Sequence, residues 1–178
     1  DDAAGSTLVN AATSSAKPPT GEPFTGTGTA SHPVGGFTFT KTAVPASGTA
    51  VVVGGTVNYS LVGSNIGATT LNPVTVKDDL SAVLDNATLV AGSLKATIDG
   101  VAATDPVISA SNQLSWTGQL APGAKVTISY QVKVNVGAEG QTLTNQAGAE
   151  ATLPGGTKIT SDEISTKHPV PGYTFAKA

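Results

Sequence analysis

Three side chains able to do chemistry stand in core phase on three separate runs of alternating residues. Phe37, Phe39, Lys41 and Ala43 share one face of the first run, Val74, Val76 and Asp78 one face of a middle run, and Leu143, Asn145, Ala147 and Ala149 one face of a late run. These faces are otherwise apolar, so a lysine, an aspartate and an asparagine all point into the same core. Buried charge is costly unless paired, and three such residues on three strands argue for a shared purpose. Burial lowers a lysine pKa and raises that of an aspartate, so the pair can hold a neutral amine, which is a nucleophile, beside a protonated acid. By the same phase Asp79 faces solvent. Taken singly, each residue has a structural reading: Lys41 can snorkel from an edge strand, Asn145 can bond backbone in a turn, and Asp78 can cap the turn into Leu80. Asp78 and Asp79, with Asp85 nearby, also raise Ca2+ as a ligand. No loop sets oxygen ligands at regular spacing, so the expectation is no metal and no cofactor.

The elements that must position these residues are strands. In Val126 to Val136 every even position is apolar and every odd one polar, a strand with one buried and one wet face. Val57, Tyr59 and Leu61 repeat the pattern. Leu89 to Ile98, Val107 to Ser109, Leu114 to Trp116, Leu143 to Ala151 and Lys158 to Ile164 supply further short strands. Turn signals separate them, among them Pro45 to Gly48, Gly54-Gly55, Asp99-Gly100, Ser111-Asn112, Ala121-Pro-Gly123 and Pro154-Gly-Gly156. No segment sustains a helical period, Asp78 to Leu84 giving at most one turn. Seven to nine short antiparallel strands predict an all-β, immunoglobulin-like β-sandwich.

The chain also repeats itself. His168-Pro-Val-Pro-Gly-Tyr-Thr-Phe-Ala-Lys177 rewrites His32-Pro-Val-Gly-Gly-Phe-Thr-Phe-Thr-Lys41 at an offset of 136 (168 minus 32). Thr7-Leu-Val-Asn10 matches Thr142-Leu-Thr-Asn145 at 135 (145 minus 10). Two matches at nearly one period predict a window on a tandem array. Residues 1–35 read as the tail of a preceding repeat plus linker, 36–168 as a complete module, and 169–178 as a linker and the first strand of a following repeat. Asn10 and Lys177 then occupy the positions of Asn145 and Lys41 in neighbouring repeats. His32 and His168, each before a proline, read as residues of stiff linkers, and residues 1–31 are expected to be poorly ordered without neighbouring modules.

Lysine in the first strand, aspartate ending a middle strand and asparagine in the closing strand is an order that resembles the isopeptide-bonded immunoglobulin-like domains of Gram-positive surface adhesins and pilins. The wording around them is similar to tandem stalk repeats of actinobacterial-type cell-wall proteins: Lys41-Thr-Ala-Val-Pro-Ala-Ser-Gly, Thr56-Val-Asn-Tyr, Val76-Lys-Asp-Asp-Leu, Gly118-Gln-Leu-Ala-Pro-Gly and Leu143-Thr-Asn145. The resemblance covers nearly all of the central module. It implies that the Lys41 amine attacks the Asn145 side-chain carbonyl, that ammonia leaves, and that Asp78 shuttles protons. Physical chemistry is compatible with this, because fixing an amine against an amide supplies a high effective molarity. The bond would close a loop of 104 residues (145 minus 41) and tie the first strand to a late one.

Other features exclude more than they suggest. Of the 178 residues nine are basic, all lysine, and the net charge is −3, so there is no basic stripe for nucleic acid and no cluster for an anionic membrane surface. No apolar run is long enough to span a membrane, and the start lacks the features of a signal peptide, so the chain reads as an internal fragment of an exported protein. Cysteine and methionine are both absent, which rules out disulfides and thiolate sites and fits a long-lived extracellular protein on the cell surface or wall. Trp116 reads as core, and Leu153-Pro-Gly-Gly-Thr157 as a hairpin turn. With neither a nucleophile elbow nor a phosphate loop, enzyme function finds no support beyond single-turnover self-cross-linking. The expected function is a structural repeat of a surface stalk or fibre whose partners are adjacent identical repeats, the cell wall and other copies. Two alternatives stay open: an adhesin module binding carbohydrate or host protein, and a fibre subunit cross-linked or strand-complemented by its neighbours.

Overall fold

The computed structural model describes residues 4–173. The strands in chain order are β1 (Thr7–Ala16), β2 (Phe24–Pro33), β3 (Phe37–Val44), β4 (Thr56–Asn65) and β5 (Leu71–Asp79). A single helical turn, α1 (Ser81–Leu84), follows. Then come β6 (Ala87–Leu89), β7 (Lys95–Ile98), β8 (Val101–Ala102), β9 (Val107–Ile108), β10 (Gln113–Leu120), β11 (Lys125–Val134), β12 (Thr142–Thr152), β13 (Lys158–Thr160) and β14 (Ile164–Pro169). Two antiparallel sheets make an immunoglobulin-like sandwich. One runs β3-β4-β11-β7-β8, with β6 also on β11, and the other runs β13-β12-β5-β10-β9, with β14 also on β12.

Period-2 patterning explains the packing. Val57, Tyr59 and Leu61 of β4, the even positions from Val126 to Val134 of β11, and Leu143, Ala147, Ala149 and Ala151 of β12 line the space between the sheets, as does Trp116 of β10. Val136 departs from the pattern: it lies beyond the last paired residue of β11 and is 88% exposed. Two runs read as single strands are split. The chain turns at Val90–Ser93, where Gly92 has φ +74, and so β6 and β7 pair with successive parts of β11. The run from Lys158 breaks at 161–163 and resumes as β14, which stays paired with β12 as far as Pro169.

That pairing corrects the linker reading of the two histidines. His168 is a fully buried residue of β14, and His32 lies on β2 opposite Leu8. Proline is tolerated here because it ends the strand.

β1 and β2 form a separate two-stranded hairpin that copies the β12–β14 pairing. Thr7 faces Pro33, Leu8 faces His32 and Asn10 faces Ala30, as Thr142 faces Pro169, Leu143 faces His168 and Asn145 faces Thr166. The likeness extends past the strands: Gly5 N–H donates to Val34 O and Val34 N–H to Ser6 O, as Gly140 N–H donates to Val170 O and Val170 N–H to Gln141 O. Burial separates the two copies. Leu143 is fully buried whereas Leu8 is 60% exposed, because among the described residues no second sheet covers the hairpin as the β3–β4 sheet covers β12.

Candidate functional site

Lys41, Asp78 and Asn145 meet between the sheets. β3 carries Lys41 inward on the phase set by Phe39; β5 carries Asp78 inward behind Val74 and Val76; β12 carries Asn145 inward beside Leu143. Lys41 Nζ donates to Asp78 Oδ1 at 2.7 Å, with both side chains fully shielded from solvent. The other carboxyl oxygen, Oδ2, accepts from the Tyr130 hydroxyl at 2.5 Å, and Asn145 Nδ2 donates to that same hydroxyl at 2.6 Å. Amine, carboxyl, phenol and amide therefore form one continuous buried chain crossing the sandwich.

Electrostatics pull the two ionisable ends toward neutrality. Burial lowers the Lys41 ammonium to about 8 although the Asp78 carboxylate favours its charge. Burial raises Asp78 against the opposing pull of Lys41, Tyr130 and Asn145. Both shifts shrink the free-energy gap between the ion pair and a neutral amine beside a carboxylic acid. Burial followed by the neighbouring Asp78 charge holds the Tyr130 phenol well above its ordinary range, so it remains a proton donor. Asp79 behaves differently: it points out, accepts from the Ser81 N–H at 3.0 Å and hydroxyl at 2.6 Å, and these bonds lower its pKa. Capping the turn into α1 thus falls to Asp79, and Asp78 is free for the core.

Sequence reasoning missed the aromatic half of the site. Tyr59 and Tyr130 pair across β4 and β11, their rings stacked at 5.1 Å, and Lys41 Nζ lies 5.5 Å from the Tyr59 centroid. His168 packs edge-on to Tyr59 at 6.0 Å, with Nε2 on the Pro45 carbonyl at 3.0 Å. A signal was present: two tyrosines in core phase each bring a hydroxyl that must find a polar partner. The amide oxygen of Asn145, the Tyr59 hydroxyl, Thr166 Oγ1 and His168 Nδ1 meet no partner in hydrogen-bond geometry among the described residues. Tyr59 lies near enough to Thr166 and Asn145 for both to affect its titration, although burial dominates and raises it.

Of the two equivalent residues in the flanking copies, Asn10 sits on the exposed hairpin, and Lys177 lies outside the described residues.

The profile of a family described as domain of unknown function DUF7927 matches residues 36–170. The chain belongs to the DUF7927 family. No curated protein matches it. Among solved structures, this DUF7927 chain is similar to BcpA, the major pilin subunit of Bacillus cereus. The identity is 13% and the TM-score 0.54, over 83% of this chain and 50% of that one. It is also similar to the full-length major pilin SpaD of Corynebacterium diphtheriae, at 16% identity and TM-score 0.51 over 72% of this chain and 34% of that one. A third is the MSCRAMM ACE of Enterococcus faecalis, at 11% and 0.51 over 75% and 50%. The DUF7927 chain spans half or less of each. At these identities the likeness is one of fold, and the fold is that of Gram-positive pilin and adhesin modules.

Proposed function

We propose that this chain is a structural module of a cell-surface stalk or fibre, stiffened by one isopeptide bond that Lys41 and Asn145 form without a cofactor. The observation that carries it is the buried chain of hydrogen bonds from the Lys41 amine through Asp78 and Tyr130 to the Asn145 amide. Proton transfer from the Lys41 ammonium to Asp78 leaves a neutral amine, whose lone pair attacks Asn145 Cγ. Once that proton has moved from Oδ1 to Oδ2, Asp78 passes it to the Tyr130 hydroxyl as Tyr130 gives its own to Nδ2, both hydrogen bonds reversing direction, and Oδ1 takes the proton that the attacking nitrogen sheds. The Cγ–Nδ2 bond breaks, ammonia leaves, and the amide Nζ–Cγ bond remains. Asp78 ends as the carboxylic acid, holding the one proton that the Lys41 ammonium brought, so the step needs no outside acid, base or oxidant. Fixed geometry supplies the rate, since an amide is inert toward free amines.

Several features favour a stalk over a ligand-binding module. The pilin fold is common to BcpA and SpaD, whereas ACE binds its ligands by a collagen Hug mode. Phe39, Tyr59, Trp116 and Tyr130 are all buried, which leaves no aromatic platform on the described face of the module. The repeated hairpin register supports reading residues 1–35 as the end of a preceding module and 36–168 as a complete one. Intact mass tests the proposal: the folded protein should be lighter than its sequence by one ammonia, and Lys41→Ala or Asn145→Ala should restore the full mass. A well-folded wild type at full mass would overturn it.

A further inference from the structure

We infer that the loop Ile66–Ala68 is a socket for the strand end of the preceding module, so that successive modules dock in a fixed orientation instead of hanging on a flexible linker. The inference rests on reading residues 1–35 as the end of such a module. Where β2 ends, Ala68 N–H donates to Val34 O at 2.9 Å, pinning the junction to the loop after β4, while Ile66 N–H donates to Gly36 O at 3.1 Å and continues the β3–β4 register inside the module.

Three glycines make that approach possible. A Cβ on Gly67 would stand 2.3 Å from Gly36 N and 2.7 Å from the Gly35 carbonyl carbon. One on Gly36 would stand 2.7 Å from the Ala4 Cβ, and one on Gly35 would meet a Leu153 methyl at 2.0 Å. At Gly67 backbone packs against backbone, which admits only glycine; at Gly36 and Gly35 the crowding is from the side chains of Ala4 and Leu153.

The socket is also held from behind. Asn65 is buried, and its Nδ2 donates to Thr69 O at 2.8 Å and to Leu120 O and Ala121 O at 3.0 Å each, while its Oδ1 accepts from Gly67 N–H at 3.0 Å. One side chain thus fixes the 65–69 loop to the β10–β11 turn, a buried polar group fully used in shaping a surface feature.

The peg recurs at the far end. Val170, with Gly140 and Gln141 bonded to it, copies Val34 with Gly5 and Ser6, and Gly172 stands where Gly36 does. The partner for Val170–Gly172 is accordingly the Ile66–Ala68 loop of a following module. Pro171 replaces Gly35, so that module must carry a residue smaller than Leu153 where the two would touch.

Amide exchange on the whole chain tests the joint. The Ala68 amide should exchange about 100-fold or more slower than unstructured amides, and Gly67→Ala should abolish that protection while β4 and β11 keep theirs. Backbone relaxation should give the β1–β2 hairpin the same tumbling time as the module in wild type and a shorter one in Gly67→Ala. An unprotected Ala68 amide in wild type, or a hairpin that already tumbles independently, overturns the inference even if Gly67→Ala fails to fold. A chain extended after Gly172 by a second copy of residues 37–173, carrying Pro171→Gly, tests recurrence. Failure to protect the second copy's equivalent of Ala68 would confine the joint to the first junction. Intact mass reports the Lys41–Asn145 bond separately, so loss of the joint and loss of the cross-link are told apart.

Discussion

Asp78 and Asp79 are adjacent and chemically identical, yet the strand assigns them opposite work. Asp78→Ala leaves a buried lysine without its carboxylate and removes the proton carrier; the expected result is a chain of full mass, destabilised by about 3–5 kcal/mol before the lost bond is counted. Asp79→Ala loses only an exposed cap, about 0.5–1 kcal/mol, and keeps the mass deficit. Mass spectrometry with urea titration separates the two. Tyr130→Phe removes the bridge between Asp78 and Asn145, so the bond should form slowly, read as a mixed mass population in freshly made protein. The unlinked Asn145→Ala variant exposes the pKa shift of Lys41. Its folded value of about 8 lies below the ordinary 10.5, so between those values the unfolded chain binds more protons and stability rises with pH, by at most ~1.4 kcal/mol per unit. Asp78 acts oppositely at lower pH: its raised folded pKa means stability falls as pH climbs through that value. Urea midpoints of Asn145→Ala against Lys41→Ala across the upper window check the sign, since only the first retains the amine.

Among the elements, the proposed bond would join β3 of one sheet to β12 of the other, closing 104 residues (145 minus 41). Loop-closure entropy of that size corresponds to about 4–5 kcal/mol as an upper guide, and Lys41→Ala should lose a comparable amount in thermal unfolding. The mechanical effect would be larger than the thermodynamic one. Force entering at β3 would pass through the proposed covalent bond into β12, which pairs with β14 at the exit, so pulling on wild type should show no extension from residues 42–144, and Lys41→Ala should release them. Elsewhere, β10 depends on a missing side chain. A Cβ on Gly118 would stand 2.5 Å from the Trp116 ring, so Gly118→Ala should cost about 1–3 kcal/mol by overpacking without altering the mass deficit.

At the scale of the whole molecule, the two flanking pieces set whether modules close within themselves or chain to chain. Asn10 lies on an exposed hairpin that has no equivalent of β5, the strand that supplies the acid. Its amide should stay unreacted, and the protein should run as a monomer on a denaturing gel. A covalent ladder that vanishes in Asn10→Ala would make this a self-joining fibre subunit.

Alternation alone determined most of the sandwich and placed Lys41, Asp78 and Asn145 in the core, because a period of two leaves no choice of face once the apolar set is known. Repetition alone marked Asn10 and Lys177 as equivalents. What alternation cannot supply is register across strands and contact across sheets. Tyr59 and Tyr130 are opposite each other only because β4 and β11 pair with that register, and Tyr130 reaches Asp78 and Asn145 only because the two sheets face each other there. His168 read as linker because histidine before proline carries a turn signal. β14 buries it instead, since pairing with β12 continues to the proline and the Pro45 carbonyl accepts the ring nitrogen. Those are long-range contacts, and only the folded chain brings their partners together.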